Sequence, residues 1–348
     1  MDPRQQLLTD WVRQFSGLEQ AVAEPVSGDA SFRRYFRVWR AADEVQPTPL
    51  IVMDAPPAHE DCKPFVAIAR HWHRQGVMVP EILQADLDQG FLLLQDFGDS
   101  LMLDQLTEAS ADQLYCGALT ELVHIQQLSA PDQYPLPPYD AALLDREMAL
   151  FPDWLLEQYL GLELGNCERA LLDTAFAFLR ESALAQPEVT VHRDYHSRNL
   201  LVQPGTNRPG VIDFQDAVTG PVTYDAVSLL KDCYIRWPEQ TLCDWLEFFR
   251  VQSAEAGLHR ADPDTFRQWF ELMGMQRHLK AAGIFARLCL RDGKQGYLAD
   301  IPRTVGYLVT ASRRQPALRH FHEWLVGVVM PAIEQRIGPA PFAEQAPE

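Results

Sequence analysis

The sequence is short of positive charge, of paired cysteines and of long apolar runs, and each shortage argues against a class of function. Lys and Arg number 30 against 48 Asp and Glu, a formal net charge of −18. A field of that sign repels phosphate backbones and anionic lipid, so no general nucleic-acid or membrane surface is expected and any phosphate site has to be local. The six cysteines, Cys62, Cys116, Cys167, Cys233, Cys243 and Cys289, form no CxxC pair and no Cys/His cluster at zinc spacing. They read as buried small hydrophobes in a reducing compartment, the cytoplasm. The start, "MDPRQQLLTDWVRQF", lacks the basic residues and apolar stretch of a signal peptide, and runs such as "EWLVGVVMPAI" are too short to span a bilayer. There is no internal repeat or low-complexity linker, and no sign of an obligate protein partner.

What is present is an ordinary folded composition, 47% hydrophobic and 22% charged, in a chain of 348 residues that exceeds one comfortable core. An amphipathic helix is expected over 4–15. "PVSGDASFRRYFRVWRA" then reads as strand, small-residue turn and strand, and "TPLIVMDAP" as a buried strand. "KPFVAIARHWHRQG" carries Phe65, Ile68, Ala69 and Trp72 at helical spacing, and "VMVPEILQAD" with "GFLLLQDFGD" supplies two more strands. From about residue 98 helical periodicity dominates, over 110–129, 141–161, 168–185, 222–235, 239–257 and 263–291. The expectation is an α+β, two-lobed protein with a sheet-rich first lobe over 1–97, a mainly helical second lobe over 98–337 and a frayed tail over 338–348.

One stretch of the helical part is different: "VTVHRDYHSRNLLVQPGTNRPGVIDFQDA", residues 189–217. If Leu200–Val202 and Val211–Asp213 are the arms of a hairpin closed by "QPGTNRPG", Asn199 and Asp213 lie at its open end. An Asn carbonyl and an Asp carboxylate are hard oxygen donors suited to Mg2+, which takes its other ligands from water and substrate phosphate. Asp194, five residues before Asn199, is placed to accept a proton from an attacking hydroxyl. His192, Asp194 and Asn199 make the H-x-D-x-x-x-x-N pattern of a kinase catalytic loop, followed by a metal-binding Asp after a short hairpin. His192 reads as a brace for that loop. Asp225, at the start of an apolar helix in "GPVTYDAVSLLKD", is either an N-cap or a second brace.

"VHRDYHSRNLL", "VIDFQDAVTGPVTYD" and the weaker "SGDASFRRYFRV" resemble the aminoglycoside phosphotransferase family, small-molecule kinases with a protein-kinase-like fold. With "IVMDAPP", "LLLQDFGD" and "QRHLKAAGIFARL" the chain is more narrowly similar to the anomeric kinases of N-acetylmuramate and N-acetylglucosamine. That resemblance implies a bilobal fold, ATP and Mg2+ as cofactors, and an amino sugar phosphorylated on its anomeric hydroxyl in cell-wall sugar recycling. It makes Asp194 the base and Asn199 and Asp213 the metal ligands. It also implies that Ser27, Gly28, Ser31 and Phe32 form the loop over the phosphates, where small residues admit backbone N–H groups. Gln95 to Phe97 become the hinge whose backbone meets adenine. Acceptor candidates are His196, Gln215, Asp216, Arg277 and Lys280; the last two lie three apart on one helical face and could meet a carboxylate or form a solvated basic face.

The sequence departs from the family's pattern in the first lobe. Related kinases carry a Lys on the third strand that touches the phosphates and pairs with a Glu on the next helix. Here Met53 or Asp54 occupies the Lys place and Phe65 or Val66 the Glu place, so the pair is lost as a pair. Arg33, Arg34 and Arg37 are the nearest replacement cations, although strand alternation sends Arg33 and Arg37 to one face and Arg34 to the other. An edge strand of merely solubilising arginines is the alternative. The competing functions are a kinase of another acceptor, of aminoglycoside or choline type, and a nucleotide-binding protein that lost catalysis with its Lys.

Overall fold

The structure is a computed structural model and describes residues 2–26, 32–41 and 48–339. Its contacts divide the chain into two compact units. The first comprises Met1–Glu121, Leu128–Leu136 and Arg198–Asp216, and the second Leu122–Gln127, Pro137–Ser197 and Ala217–Glu348. Ser27, Gly28, Ser31 and most of the expected tail, from 340 on, lie outside the described residues.

The first unit is built on an antiparallel sheet of five strands, β1 (Glu24–Pro25), β2 (Arg34–Arg40), β3 (Thr48–Asp54), β4 (Ile82–Asp86) and β5 (Phe91–Gln95), in the order β1-β2-β3-β5-β4. Helix α1 (Pro3–Val12) starts with Asp2, whose side chain accepts from the Arg4 N–H, and with Pro3 at its first turn, where a missing N–H costs nothing. Its Leu8, Trp11 and Val12 pack on Phe36, Val38, Leu50, Val52, Phe91 and Leu93. These alternate residues of β2, β3 and β5 put one sheet face under α1, each buried large side chain contributing about 1.5–3 kcal/mol. The intervening Leu92 and Leu94 are buried as well, so β5 is covered on both faces.

Helix α2 (Lys63–Arg74) follows. Its Phe65 and Trp72 rings stand 4.8 Å and 5.7 Å from the Phe214 ring. Phe214 lies three residues past a hairpin of β7 (Leu200–Leu201) and β8 (Gly210–Val211); the first arm stops short of Val202, and the second starts one residue earlier than expected and leaves Ile212 and Asp213 outside it. The hairpin is bonded into this unit: Val211 donates to the Met78 carbonyl at 2.7 Å and Val202 to that of Ser100 at 2.8 Å. Phe214 is wholly buried, so Phe214→Ala is expected to cost about 3–5 kcal/mol. Urea unfolding should show the midpoint falling at unchanged slope; a loss under about 1 kcal/mol would mean that the rings do not lock the hairpin to α2.

Two further helices complete this part of the chain, α3 (Met102–Gln105) and α4 (Ala111–Gln126), the latter ending in the second unit. The second unit is mainly helical, with α5 (Ala141–Leu150), α6 (Asn166–Leu184), α7 (Tyr224–Leu230), α8 (Glu239–Glu255), α9 (Pro263–Asp292), α10 (Ile301–Arg313), α11 (Arg319–Trp324) and α12 (Met330–Arg336). At 30 residues α9 is about 45 Å long. Asp262 caps its start by accepting from the Thr265 N–H at 3.0 Å, and Gly293 ends it in the left-handed conformation. Every residue from Phe270 to Lys280 is buried, so its polar members there need partners. The unit also holds an antiparallel pair, β6 (Glu188–Val191) with β9 (Val218–Pro221). The sequence reading missed it because "VTGP" carries Gly and Pro and its partner lies far back along the chain. Among the described residues no helix is long and apolar enough to cross a membrane.

Candidate active site

Two polar clusters carry the motif residues, one in each unit. In the first, the hairpin ends with Ile212 donating to the Asn199 carbonyl at 3.1 Å, which brings Asn199 and Asp213 together. The Asp213 carboxylate accepts from Asn199 Nδ2 at 3.2 Å, Gln215 Nε2 at 2.9 Å and Arg33 Nη2 at 3.4 Å. Gln215 also donates to the exposed Asp216 at 3.4 Å. Turning the Asn199 amide over would present its oxygen beside the Asp213 carboxylate. Among the described residues no group of three or more His, Cys, Asp or Glu side chains forms a metal cage. Two protein oxygens suit a hard cation that keeps water and phosphate ligands, so the residues fit Mg2+.

The Arg33–Asp213 contact also separates the three arginines. Arg33 is nearly buried against the hairpin carboxylate. Arg37 is clamped to Asp96 at 2.5 Å and to Asp99 at 2.8 Å. Arg34 lies across from Asp54 on the α1 face and donates to it at 2.6 Å, with Arg4 of α1 donating to the other oxygen at 2.7 Å. The register puts Met53 and Asp54 on opposite faces. Asp54 shares the α1 face with Leu50 and Val52, while Met53, opposite Tyr35 and Leu92, takes the other face with Arg37 and Ile51. Phe65 and Val66 of α2 are buried apolar side chains. Arg34 is thus engaged with Asp54 on the α1 face, and Arg33 is the one of the three that reaches the hairpin carboxylate. Arg34→Ala is expected to lower the melting temperature with ATP KM unchanged, whereas Arg33→Ala raises ATP KM about tenfold, the worth of a charge-assisted hydrogen bond. Equal ATP KM in both variants would reject the distinction.

The other residues expected on the nucleotide side have defined places. Phe32 is exposed, stacks on His59 at 4.7 Å and donates its N–H to Glu60 at 3.2 Å. Gln95 closes β5, with its N–H on the Glu81 carbonyl at 2.9 Å. The Phe97 carbonyl accepts from Gln203 Nε2 at 3.1 Å and its ring covers Gly210, where a Cβ would stand 2.6 Å from it.

In the second unit β6 delivers His192, Arg193 and Asp194. Buried Asp225 accepts the His192 N–H at 2.7 Å and the Arg193 N–H at 3.0 Å, which settles it as a brace for the loop. His192 is itself buried, and its Nδ1 accepts the Asp194 N–H at 3.2 Å. Asp232, not singled out in the sequence, accepts the Ser197 N–H at 3.0 Å and its hydroxyl at 2.5 Å. Arg193 (φ +77°) and Asp213 (φ +65°) are the two non-glycine residues with left-handed backbone among those described. Such strain costs on the order of 1–3 kcal/mol and persists where surroundings over-determine the chain, as functional sites do.

The electrostatics of the loop follow from its neighbours. Burial raises the Asp194 carboxyl, but the positive field of Lys280, His196, Arg193 and Arg277 outweighs it and leaves the group at about 2. Asp225 moves the other way: burial pushes it up to about 7 against the two amide donors. Arg277 and Lys280 are buried in α9, so the solvated basic face is ruled out. Lys280 pairs with Glu147 at 3.1 Å and donates to the Tyr224 hydroxyl at 3.0 Å, and Arg277 lies 3.9 Å from the Cys233 sulfur. His196, whose N–H donates to the Asp194 carbonyl at 3.0 Å, begins a run of rings. Its imidazole lies 5.4 Å from Tyr234, which is 6.3 Å from Phe285, which stacks on Tyr297 at 5.6 Å. Glu147, Asp232 and Tyr234 join these clusters from distant segments, and no motif marks them.

A five-stranded antiparallel sheet unit, a helical unit and an H-x-D-x-x-x-x-N loop leading to a hairpin Asp are the parts of a phosphotransferase with a kinase-like fold. The phosphotransferase enzyme family profile matches residues 22–272, and the chain belongs to that family. Within it, the chain is 47% identical over 307 residues to the N-acetylmuramate/N-acetylglucosamine kinase of Pseudomonas aeruginosa, covering 87% of this chain and 88% of that one. To the kinase of the same name from Neisseria meningitidis it is 42% identical, over 87% and 89% of the two chains. Solved structures share the fold: an ethanolamine kinase of Plasmodium vivax (TM-score 0.64, 9% identity, 91% of this chain and 89% of that chain) and a choline/ethanolamine kinase family protein of Mesorhizobium loti (TM-score 0.61, 14% identity, 92% and 99%).

Proposed function

We propose that the chain transfers the γ-phosphoryl group of ATP, with Mg2+, to the anomeric hydroxyl of N-acetylmuramate or N-acetylglucosamine, as in the recycling of cell-wall sugars. The observation that carries the reading is the Asp213 carboxylate that gathers the Asn199 amide and Arg33; with that amide turned over, the two side chains would offer a pair of oxygens to a metal-bound phosphate chain. The names of the relatives, at 42% to 47% identity, support the choice of acceptor. When bound there, Mg2+ neutralises phosphate charge. Arg33 adds a fixed positive charge where the strand Lys is missing. Asp194, ionised at all working pH values, orients the acceptor hydroxyl and takes its proton as the bond to phosphorus forms. The His196–Tyr234–Phe285–Tyr297 rings offer an apolar wall to the sugar.

An anomeric hydroxyl is more acidic than the other sugar hydroxyls because the ring oxygen withdraws charge. A weakly basic carboxylate then suffices in a loose transition state. The test is coupled ADP production over a panel of amino sugars, aminoglycosides and choline. N-Acetylmuramate and N-acetylglucosamine should turn over, and the methyl glycoside of N-acetylglucosamine, with no free anomeric hydroxyl, should be inert. Equal turnover of the methyl glycoside would sink the anomeric assignment, and turnover confined to aminoglycosides or choline would sink the sugar.

A further inference from the structure

We propose that Glu147 is a positioning residue for the catalytic loop: its buried carboxylate anchors the Arg193 guanidinium and with it the left-handed turn that presents Asp194. The inference rests on the kinase reading above. Glu147 lies on α5, 5% exposed. Its Oε1 accepts from Arg193 Nη2 at 2.6 Å and pairs with Lys280 Nζ at 3.1 Å. Its Oε2 accepts from the Tyr139 hydroxyl and, at 3.4 Å, from Gln276 Nε2, which donates also to the Tyr139 oxygen at 3.0 Å. The long helix α9 thus supplies two donors, the segment before α5 a third and the catalytic loop the fourth.

Packing alone does not call for this arrangement, since a buried ion cluster is commonly no more stable than apolar side chains of the same volume. What an apolar side chain cannot do is hold a guanidinium one residue from Asp194. The turn at Arg193, φ +77°, is gripped twice: Asp225 takes the backbone N–H groups of His192 and Arg193, and Glu147 takes the Arg193 side chain. Glu147 also has a charge role. Burial opposes its ionisation, yet Lys280 and Arg193 hold it below the ordinary carboxylate range. The same two cations act on Asp194. With Glu147 neutralised, their attraction turns to Asp194 and competes with the acceptor hydroxyl for that carboxylate.

Glu147→Gln keeps the shape and removes the charge. With Mg·ATP and N-acetylglucosamine its kcat should fall about 10- to 100-fold while ATP KM stays within about twofold. In an Asp194→Asn background the same change should cost less than about threefold, because a residue acting through Asp194 loses its effect when Asp194 is gone. Arg193→Gln, which leaves the Glu147–Lys280 pair intact, should reproduce both results and carries the test if the Glu147 variant does not fold. A kcat within about twofold of wild type, or the full loss repeated in the Asp194→Asn background, overturns the proposal. Slow Mg·ATP hydrolysis without acceptor is followed in parallel. If wild type hydrolyses ATP but ignores the sugar, the acceptor reading fails, and the hydrolysis rates of the same variants then decide the role of Glu147.

Discussion

Asparagine in place of Asp194 is expected to leave ATP KM unchanged and to lower kcat by about 10²–10⁴, the usual worth of a positioned base. The amide preserves shape and can still accept a hydrogen bond, so the variant isolates the loss of charge. Single-turnover measurements should place the loss in the chemical step. A variant retaining more than about half of wild-type turnover would remove Asp194 from the mechanism and leave a nucleotide-binding protein as the better reading. The pH behaviour supplies a second check. The folded carboxyl lies at about 2, below its ordinary 3.8, so its stabilising contribution is fully present above pH 3.8 and is lost as pH falls toward 2. It gives no acid limb in kcat between about pH 5 and 9. Asp225 has the opposite sign: raised to about 7, it makes the fold less stable as pH climbs from 3.8 through 7. A limb near neutrality that persists in a base-independent assay, such as loop stability, belongs to Asp225.

Asp213→Asn should be as damaging by a different route. The change removes the one carboxylate that faces Asn199, Gln215 and Arg33 together. It takes the carboxylate contact from the Arg33 guanidinium and would leave a metal bound there with only amide oxygens from these two side chains. Loss of several kcal/mol of charge stabilisation corresponds to a fall in kcat/KM on the order of 10³, with a clear rise in the Mg2+ concentration needed for half-maximal rate. Titrating activity against Mg2+ at fixed ATP separates the two effects. An unchanged Mg2+ requirement with turnover within tenfold of wild type would place the metal elsewhere.

The parts of this site that were legible in the sequence are those whose partners lie close along the chain. His192, Asp194 and Asn199 sit in one loop, and Asp213 follows across a hairpin whose apolar arms and Gly/Pro turn mark it. Strand alternation separated Arg34 from Arg37, and the observed register keeps those two on opposite faces; Arg33 lies just before β2. Which of Met53 and Asp54 shares the face under α1 was not readable, because it depends on which strand face α1 covers. Glu147 and Asp232 were invisible for the same reason: each reaches the loop only after α5 or the end of α7 has packed, and a single acidic residue on a helix has no signature. Arg277 and Lys280 read as ambiguous because charge alone does not say that the middle of α9 is buried.

The fate of the missing strand pair has a consequence for control. In kinases that keep a Lys–Glu pair, its making and breaking follows the position of the helix that carries the Glu, and signalling input acts by moving that helix. Here that helix is held by Phe65 and Trp72 against Phe214, and the strand's acidic residue is buried under α1, paired with Arg4 and Arg34. A joint of interlocked rings has no ionic latch to release. In a phosphotransferase so built, the position of α2 is set by ring packing and not by a charge pair that a signal could make or break.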